Sequence, residues 1–379
     1  MMALVLVACS ATDQPPLRGT SFPQPGGLPC KGVDSRVSAP RAPHGLFVLV
    51  PPSASYDNRT YGPNTFNRYL VKNPEVCGAL LSVPWSAIDR GPGAKHRYDW
   101  KYLSSIAAPW IAAGKSVGFA FESVAYRSSS FDGANVTPKW VLRQGPTVDC
   151  GGGVPDSPVF WNPSFVQSWD EFIRVVVRHT ARLPWVDYLR FGVGAGMEDF
   201  PTGIVGSTCF ALWQAQGYLQ EFPAYTSDLL SFEAKLSSSK PISVSINPLT
   251  HADNPLLYPT AVTQQASSLG LGVGFQGLGV HSQGEGLCYM WCPLFLEAAG
   301  KVALELQTYS PTSPDGQGPT PALPGLLRLA LGHHAQLFEL WPQDWLVAFD
   351  PHWSGYRRYH SAYRGALEQA ATTVDGNHS

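Results

Sequence analysis

Residues 46–54 read Leu46-Phe47-Val48-Leu49-Val50-Pro51-Pro52-Ser53-Ala54. The first five are apolar β-formers in an unbroken run, the pattern of a parallel strand buried on both faces. The next four residues decide between two architectures. An open doubly wound sheet carries a Gly-x-Gly-x-x-Gly phosphate turn after its first strand. Here two prolines, a serine and an alanine stand in that place, which favours a closed barrel. No P-loop and no His-Glu-x-x-His zinc motif occurs elsewhere in the chain.

The same unit then recurs: a short apolar run, a loop, and a helix-like stretch. The candidate strands are Leu46–Val50, Ala79–Val83, Ser116–Phe121, Asp187–Gly192, Ile242–Ile246, Leu271–Gln276, Val302–Leu306 and Leu337–Leu340. Helix-like segments are Tyr102–Ala113, Phe165–Arg182, Tyr218–Leu236, Leu294–Ala299, Pro324–His334 and Tyr359–Ala371. Eight such units predict an α/β fold, a (β/α)8 or TIM barrel, as a single domain over residues 44–379 with long βα loops. The stretch from Ser123 to Asn162, with Trp140 and Cys150, and the loop holding His281, Cys288, Trp291 and Cys292 are expected to wall a cleft. In this fold the active site lies at the C-terminal ends of the strands.

Upstream, Leu6-Val7-Ala8-Cys9 reads as a lipobox within a signal-like segment, residues 1–9, and residues 10–43 read as a Pro/Gly/Ser-rich tether. The expectation is an exported protein, either secreted or held at a bacterial cell envelope through a lipidated Cys9. Setting Cys9 aside, six of the seven cysteines remain, an even number that suits disulfides in an oxidising compartment. Proximity in the expected fold favours Cys30–Cys77, Cys150–Cys209 and Cys288–Cys292. No cysteine or histidine spacing suits zinc, so no metal and no cofactor is expected.

Composition narrows the partner. A net charge of −2 over 379 residues offers no electrostatic footprint for nucleic acid or an anionic membrane. Charged residues are 14% of the chain, below the roughly 25% of ordinary soluble domains. Aromatics are 12%, with 12 Trp, and the apolar faces of sugar rings pack well on indole. A carbohydrate partner fits this balance.

Two glutamates lie where barrel chemistry is expected. Glu198 comes after the fourth strand and Gly192-Val193-Gly194-Ala195-Gly196-Met197, and Glu305 lies within Val302-Ala303-Leu304-Glu305-Leu306-Gln307. A carboxylate in an apolar strand is costly unless paired or functional. For Glu305 the alternative is an ion pair inside the barrel, and for Glu198 a solvated loop acid. Strands four and seven face each other across a barrel mouth, and two opposed carboxylates suit glycosidic bond cleavage. Glu122, Asn247, Gln276 and His281 are candidate sugar-hydroxyl contacts or internal hydrogen bonders, and Trp341, Trp291 and Trp140 are stacking candidates.

These features together resemble the clan A retaining glycoside hydrolases, the cellulase-like and β-galactosidase-like barrels. Pro84-Trp85-Ser86-Ala87-Ile88-Asp89 with Tyr98-Asp99-Trp100 is similar to the stretch after strand two in that clan, and Leu340-Trp341 to its sugar-floor Trp. The resemblance implies an acid/base at Glu198 and a nucleophile at Glu305. Met197 stands where many members have Asn, and the Gly-rich approach is similar to β-amylase-like barrels. The expected activity is therefore glycosidase, retaining, on an oligo- or polysaccharide. The alternatives are an inverting amylase-like hydrolase and a non-catalytic polysaccharide-binding barrel.

Overall fold

The structure is a computed structural model that describes residues 43–50, 63–124, 136–151, 156–196, 207–236, 238–278, 292–308 and 322–376. Eight parallel strands close a barrel in which each strand pairs with its sequence neighbours. They are β1 (Gly45–Val50), β2 (Gly78–Pro84), β3 (Ser116–Glu122), β4 (Val186–Phe191), β5 (Ile242–Ile246), β6 (Gly272–Leu278), β7 (Leu304–Thr308) and β8 (Leu337–Leu340). Around them lie α1 (Trp100–Ala112), α2 (Pro163–Thr180), α3 (Ser207–Ala215), α4 (Tyr218–Ala234), α5 (Leu257–Leu269), α6 (Cys292–Ala298), α7 (Ala322–Gly332), α8 (Pro342–Phe349) and α9 (Tyr356–Gly376). The closed barrel is the predicted architecture. Helices α3, α5 and α8 are additions to the segments the pattern predicts. The lipobox-like segment and residues 10–42 of the tether lie outside the described residues.

Local sequence explains the elements. Helix α2 starts where the Asn162 side chain accepts a hydrogen bond from the Ser164 amide at 3.1 Å, with Pro163 in the first turn. Its Phe165, Trp169, Phe172, Ile173 and Val176 are buried at three- and four-residue spacing, one apolar stripe laid on the barrel. Trp85, fully buried, packs on Trp169 and Phe172 with ring centroids 4.9 and 5.5 Å away. The Trp85–Ile88 stretch is thus the seam between α2 and the rim after β2.

Strand alternation divides the barrel. Most outward residues are apolar: Val48, Phe119, Leu189, Val244, Phe275, Leu306 and Phe338 all join the core under the helices. Inward residues differ by side. Phe47, Leu49, Leu80, Ala120 and Leu337 form an apolar cluster within the lumen, while Arg190, Ser243, Ser245, Glu305, Gln307 and Glu339 are buried polar groups on β4, β5, β7 and β8. The lumen has a mainly apolar side, with the polar Ser82 and Glu122 toward the ends of β2 and β3, and a polar side on β4, β5, β7 and β8.

The seventh strand begins two residues later than its apolar pattern predicts. The turn after helix α6 contains Gly300 with φ +72°, and the amides of Lys301 and Val302 fold back to the Ala298 carbonyl. A left-handed residue there is the usual helix stop, and it absorbs Val302 into the turn. Glu305 is therefore the second residue of a five-residue strand, and Gln307 faces inward nearer the mouth.

The disulfide Cys150–Cys209, with a Cα separation of 5.0 Å, is one of the three expected. Cys77 is also disulfide-bonded, while Cys30 and Cys288 lie outside the described residues. A Cβ on Gly118 would come within 2.3 Å of two ring carbons of Tyr188, which is fully buried. Gly118→Ala is expected to lower the unfolding free energy by roughly 1–3 kcal/mol, read by urea denaturation. An unchanged midpoint would mean that Tyr188 moves freely.

Candidate active site

The polar half of the lumen is organised by one guanidinium. Arg190 lies on β4, Glu305 on β7 and Glu339 on β8, and all three are 0% exposed. Arg190 Nη2 donates to Glu305 Oε2 and, at 2.7 Å, to Glu339 Oε1. The Tyr188 hydroxyl donates to that same Glu339 oxygen at 2.6 Å. Arg190 Nη1 reaches Gln307 Oε1 at 3.5 Å. A permanent cation is thus shared by two carboxylates, all three fully buried.

Electrostatics follow from that sharing. Burial is the largest influence on Glu339, and the nearby Glu305 adds to it. Together they outweigh the Arg190 cation and the two hydrogen bonds, pushing Glu339 up to about 7. Burial also holds the Tyr188 hydroxyl well above its usual range, so it remains a donor. Glycines on β6 make the space. A Cβ at Gly274 would sit 3.2 Å from Glu305 Oε2 and 3.3 Å from Arg190 Nη2.

At the mouth, the chain after β4 continues to run beside the chain after β3. Ala195 bridges Val124 in parallel, the Gly196 amide donates to the Val124 carbonyl at 2.8 Å, and the Ser123 hydroxyl donates to the Gly194 carbonyl at 3.2 Å. The stretch that leads to Glu198 is fixed on the rim as far as Gly196. Glu198 itself lies outside the described residues, as do His281 and Trp291. Cys209 on α3 is tied to Cys150 in the β3–α2 connection.

The remaining candidates separate. Glu122 ends β3 and is buried, and Asn247 comes directly after β5 and is also buried. Gln276 belongs to β6. Trp341 comes after β8, half-buried against the lumen cluster, and its Nε1 donates to the Thr308 carbonyl at the end of β7 at 2.8 Å. Its ring is anchored at the rim above Glu339. Trp140 instead stands on the flank, where its ring meets Trp85 at 6.1 Å and the Arg97 guanidinium at 5.3 Å. That ring is occupied by packing. Asp89, Arg97 and Tyr98 join the same flank: Arg97 Nε donates to Asp89 at 3.0 Å, and Asp89 bridges Tyr98.

Arg190, Tyr188, Gln307 and Glu339 are not among the residues the sequence singles out. The signal was present for two of them. Arg190 and Glu339 each interrupt an apolar strand as Glu305 does, and the same cost of burial applies. Among the described residues no group of three or more His, Cys, Asp and Glu side chains is arranged to hold a metal ion, and no helix is long and apolar enough to cross a membrane.

No protein-family profile and no curated protein matches the sequence. Solved structures do match in shape. The catalytic domain of a β-amylase from Paenibacillus polymyxa superposes with a TM-score of 0.61 at 13% identity, covering 86% of this chain and 98% of that one. A family 10 endo-β-1,4-xylanase from Gloeophyllum trabeum superposes with a TM-score of 0.53 at 14% identity, covering 88% and 99%. The likeness is one of fold, over nearly the whole length of both enzymes.

Removing the shared cation leaves two buried carboxylates uncompensated. Arg190→Met is expected to destabilise the protein by about 3–5 kcal/mol, measured by equilibrium denaturation. A loss below about 1 kcal/mol, the scale of an exposed pair, would show that the lumen is wet. Cys150→Ser removes a bridge across a sequence separation of 59 and should cost about 2–4 kcal/mol in the same assay.

Proposed function

We propose that this chain is an exported glycoside hydrolase that cleaves an oligo- or polysaccharide with Glu198 as general acid/base and Glu305 as nucleophile. The observation that carries the proposal is the opposition of β4 and β7 across the lumen. On one side stands Glu305, its charge met by Arg190. On the other, the rim-pinned Gly194–Gly196 stretch leads directly into Glu198. Trp341 lies at the mouth as a half-buried indole face. The fold shared with a β-amylase and a xylanase is consistent with this use of the barrel. The Cys150–Cys209 bridge suits an oxidising compartment, and attachment through a lipidated Cys9 is part of the same proposal.

The chemistry takes two steps. A Glu305 oxygen attacks the anomeric carbon while Glu198 gives its proton to the departing glycosidic oxygen, leaving a glycosyl ester on Glu305. Water then attacks the anomeric carbon of that ester and yields its proton to Glu198, and the Glu305 carboxylate leaves. The depth of Glu305 bears on the alternative, inverting route. Glu305 lies one inward layer below Gln307, and each inward layer adds about 6.6 Å along a strand. Retaining enzymes hold their carboxyls about 5–5.5 Å apart, and inverting ones about 6.5–9.5 Å.

The test is the anomer first released from a glycoside, monitored by NMR. Retention, with turnover lost by about 10³-fold or more in Glu305→Gln and azide rescue of Glu198→Gln, supports double displacement. Net inversion supports the amylase-like route. Wild-type turnover in Glu305→Gln would remove that residue from the chemistry. Trp341→Ala should weaken sugar binding with little dependence on salt, since stacking involves no ion pair. Normal binding by that variant would make Trp341 a core residue.

A further inference from the structure

Arg190, Glu305 and Glu339 are 0% exposed, whereas Gln307 keeps 7% of its surface. Strand alternation accounts for the difference. Gln307 follows Glu305 by two residues on β7, so it faces the lumen one inward layer nearer the mouth. On the neighbouring strand Gln307 pairs with Glu339, and Trp341 comes two residues after that. The Trp341 indole donates to the carbonyl of Thr308 at 2.8 Å. The candidate stacking ring is thus fastened to the backbone one residue beyond Gln307.

Chemistry fixes which way the carboxamide lies. A guanidinium donates and cannot accept, so the Gln307 atom that faces Arg190 Nη1 at 3.5 Å is the oxygen. Nε2 is the other arm of the fork. Among the described residues nothing accepts a hydrogen bond from Nε2, yet Nε2 is not one of the buried polar atoms that lack a partner. It is therefore open to solvent, and for an inward side chain near the end of β7 that opening is the mouth. The 3.5 Å contact lies beyond the ordinary hydrogen-bond range. It orients the amide more loosely than the 2.7 Å contact holds Glu339. A neutral donor also suits the place. A second cation would draw the two carboxylates away from Arg190, and a third carboxylate would burden a charge that already serves two.

We propose that Gln307 is a specificity-determining residue that contacts the substrate: Arg190 orients its carboxamide from below, and Nε2 donates to a hydroxyl oxygen of the sugar ring that rests on Trp341. The proposal rests on the glycosidase reading and deepens it, by naming the group that reads the sugar beside Glu305. It also names the ligand class, a neutral sugar ring with a hydroxyl turned toward β7. A ring that lacks this hydroxyl shuts Nε2 off from water and gives it no acceptor, and is selected against for that reason.

Two measurements on the full chain test the proposal. In the first, Gln307→Cys is treated with iodoacetamide, folded and in urea, with the wild-type chain as background. The folded variant should be alkylated above that background. Alkylation in urea alone would close position 307 to the mouth and overturn the proposal. In the second, kcat/KM is measured for an aryl glycoside that the wild type cleaves and for its monodeoxy analogues. One deoxy analogue should lose about five- to tenfold in wild type, the scale of one neutral hydrogen bond. In Gln307→Ala the parent glycoside should fall by a similar factor, and that analogue should lose nothing further, because both changes remove the same contact. Additive losses overturn the proposal and leave Gln307 a packing residue. A rise in kcat/KM in Gln307→Ala also overturns it, by showing that the side chain obstructs the path to Glu305. If Gln307→Ala does not fold, Gln307→Glu replaces it. That variant keeps an oxygen toward Arg190 and loses the donor, so the same coincidence of losses is expected. A wild type that cleaves no glycoside defeats the glycosidase reading, and alkylation then decides whether the mouth-facing amide stands without it.

Discussion

Arg190 is fully enclosed by the barrel, and a guanidinium keeps its charge at any pH a protein survives. Enclosing it demands partners, and much of the lumen is arranged around that demand. Glu305 and Glu339 supply the opposite charge from two adjacent strands. Tyr188 completes the hydrogen bonding of Glu339, and its ring in turn requires the bare Gly118 on β3. Gly274 on β6 leaves the room that the Glu305–Arg190 pair occupies. Five strands thus carry side chains, or lack them, because of a single buried cation.

The other side of the lumen is mainly apolar, and the contrast between sides matters. Phe47, Leu49, Leu80, Ala120 and Leu337 keep water from one flank of the charge cluster, which strengthens each electrostatic interaction within it. Outside the strands, the aromatic seam of Trp85, Trp169 and Phe172 locks α2 on the barrel. The rim above is tied by short links: the Val124–Ala195 bridge between the extensions of β3 and β4, and the Cys150–Cys209 disulfide. These tethers hold described residues that precede and follow, in sequence, the segment that carries Glu198.

Parts of this arrangement were legible in the residues. Continuous apolar runs reveal eight parallel strands, because parallel strands in a barrel must present an apolar outer face to their helices. They hide the lumen, because an isolated Arg190 or Glu339 hardly disturbs a run. Glu305 stood out because it lies among Val302, Ala303, Leu304 and Leu306. Its depth did not, since the left-handed Gly300 consumes Val302 and moves the start of β7. Trp140 and Trp341 are alike as letters. One packs against Trp85 and Arg97 on the flank, and the other is anchored to Thr308 at the rim.

By itself, then, the sequence determined the class of fold, the order of its strands, and the presence of acids in strands where acids are costly, while it left the cysteine pairing open. Only the tertiary structure decided which of those groups share a layer of the lumen. Strand alternation assigns each residue a face, but the stagger between neighbouring strands assigns its height. That stagger depends on closure of the whole barrel, including the register shift between Val117 and Gly118 where β3 meets β4. Arg190 meets Glu305 and Glu339 across sequence separations of 115 and 149 residues. No local pattern spans such distances, because the contact exists only once the eighth strand has returned to the first.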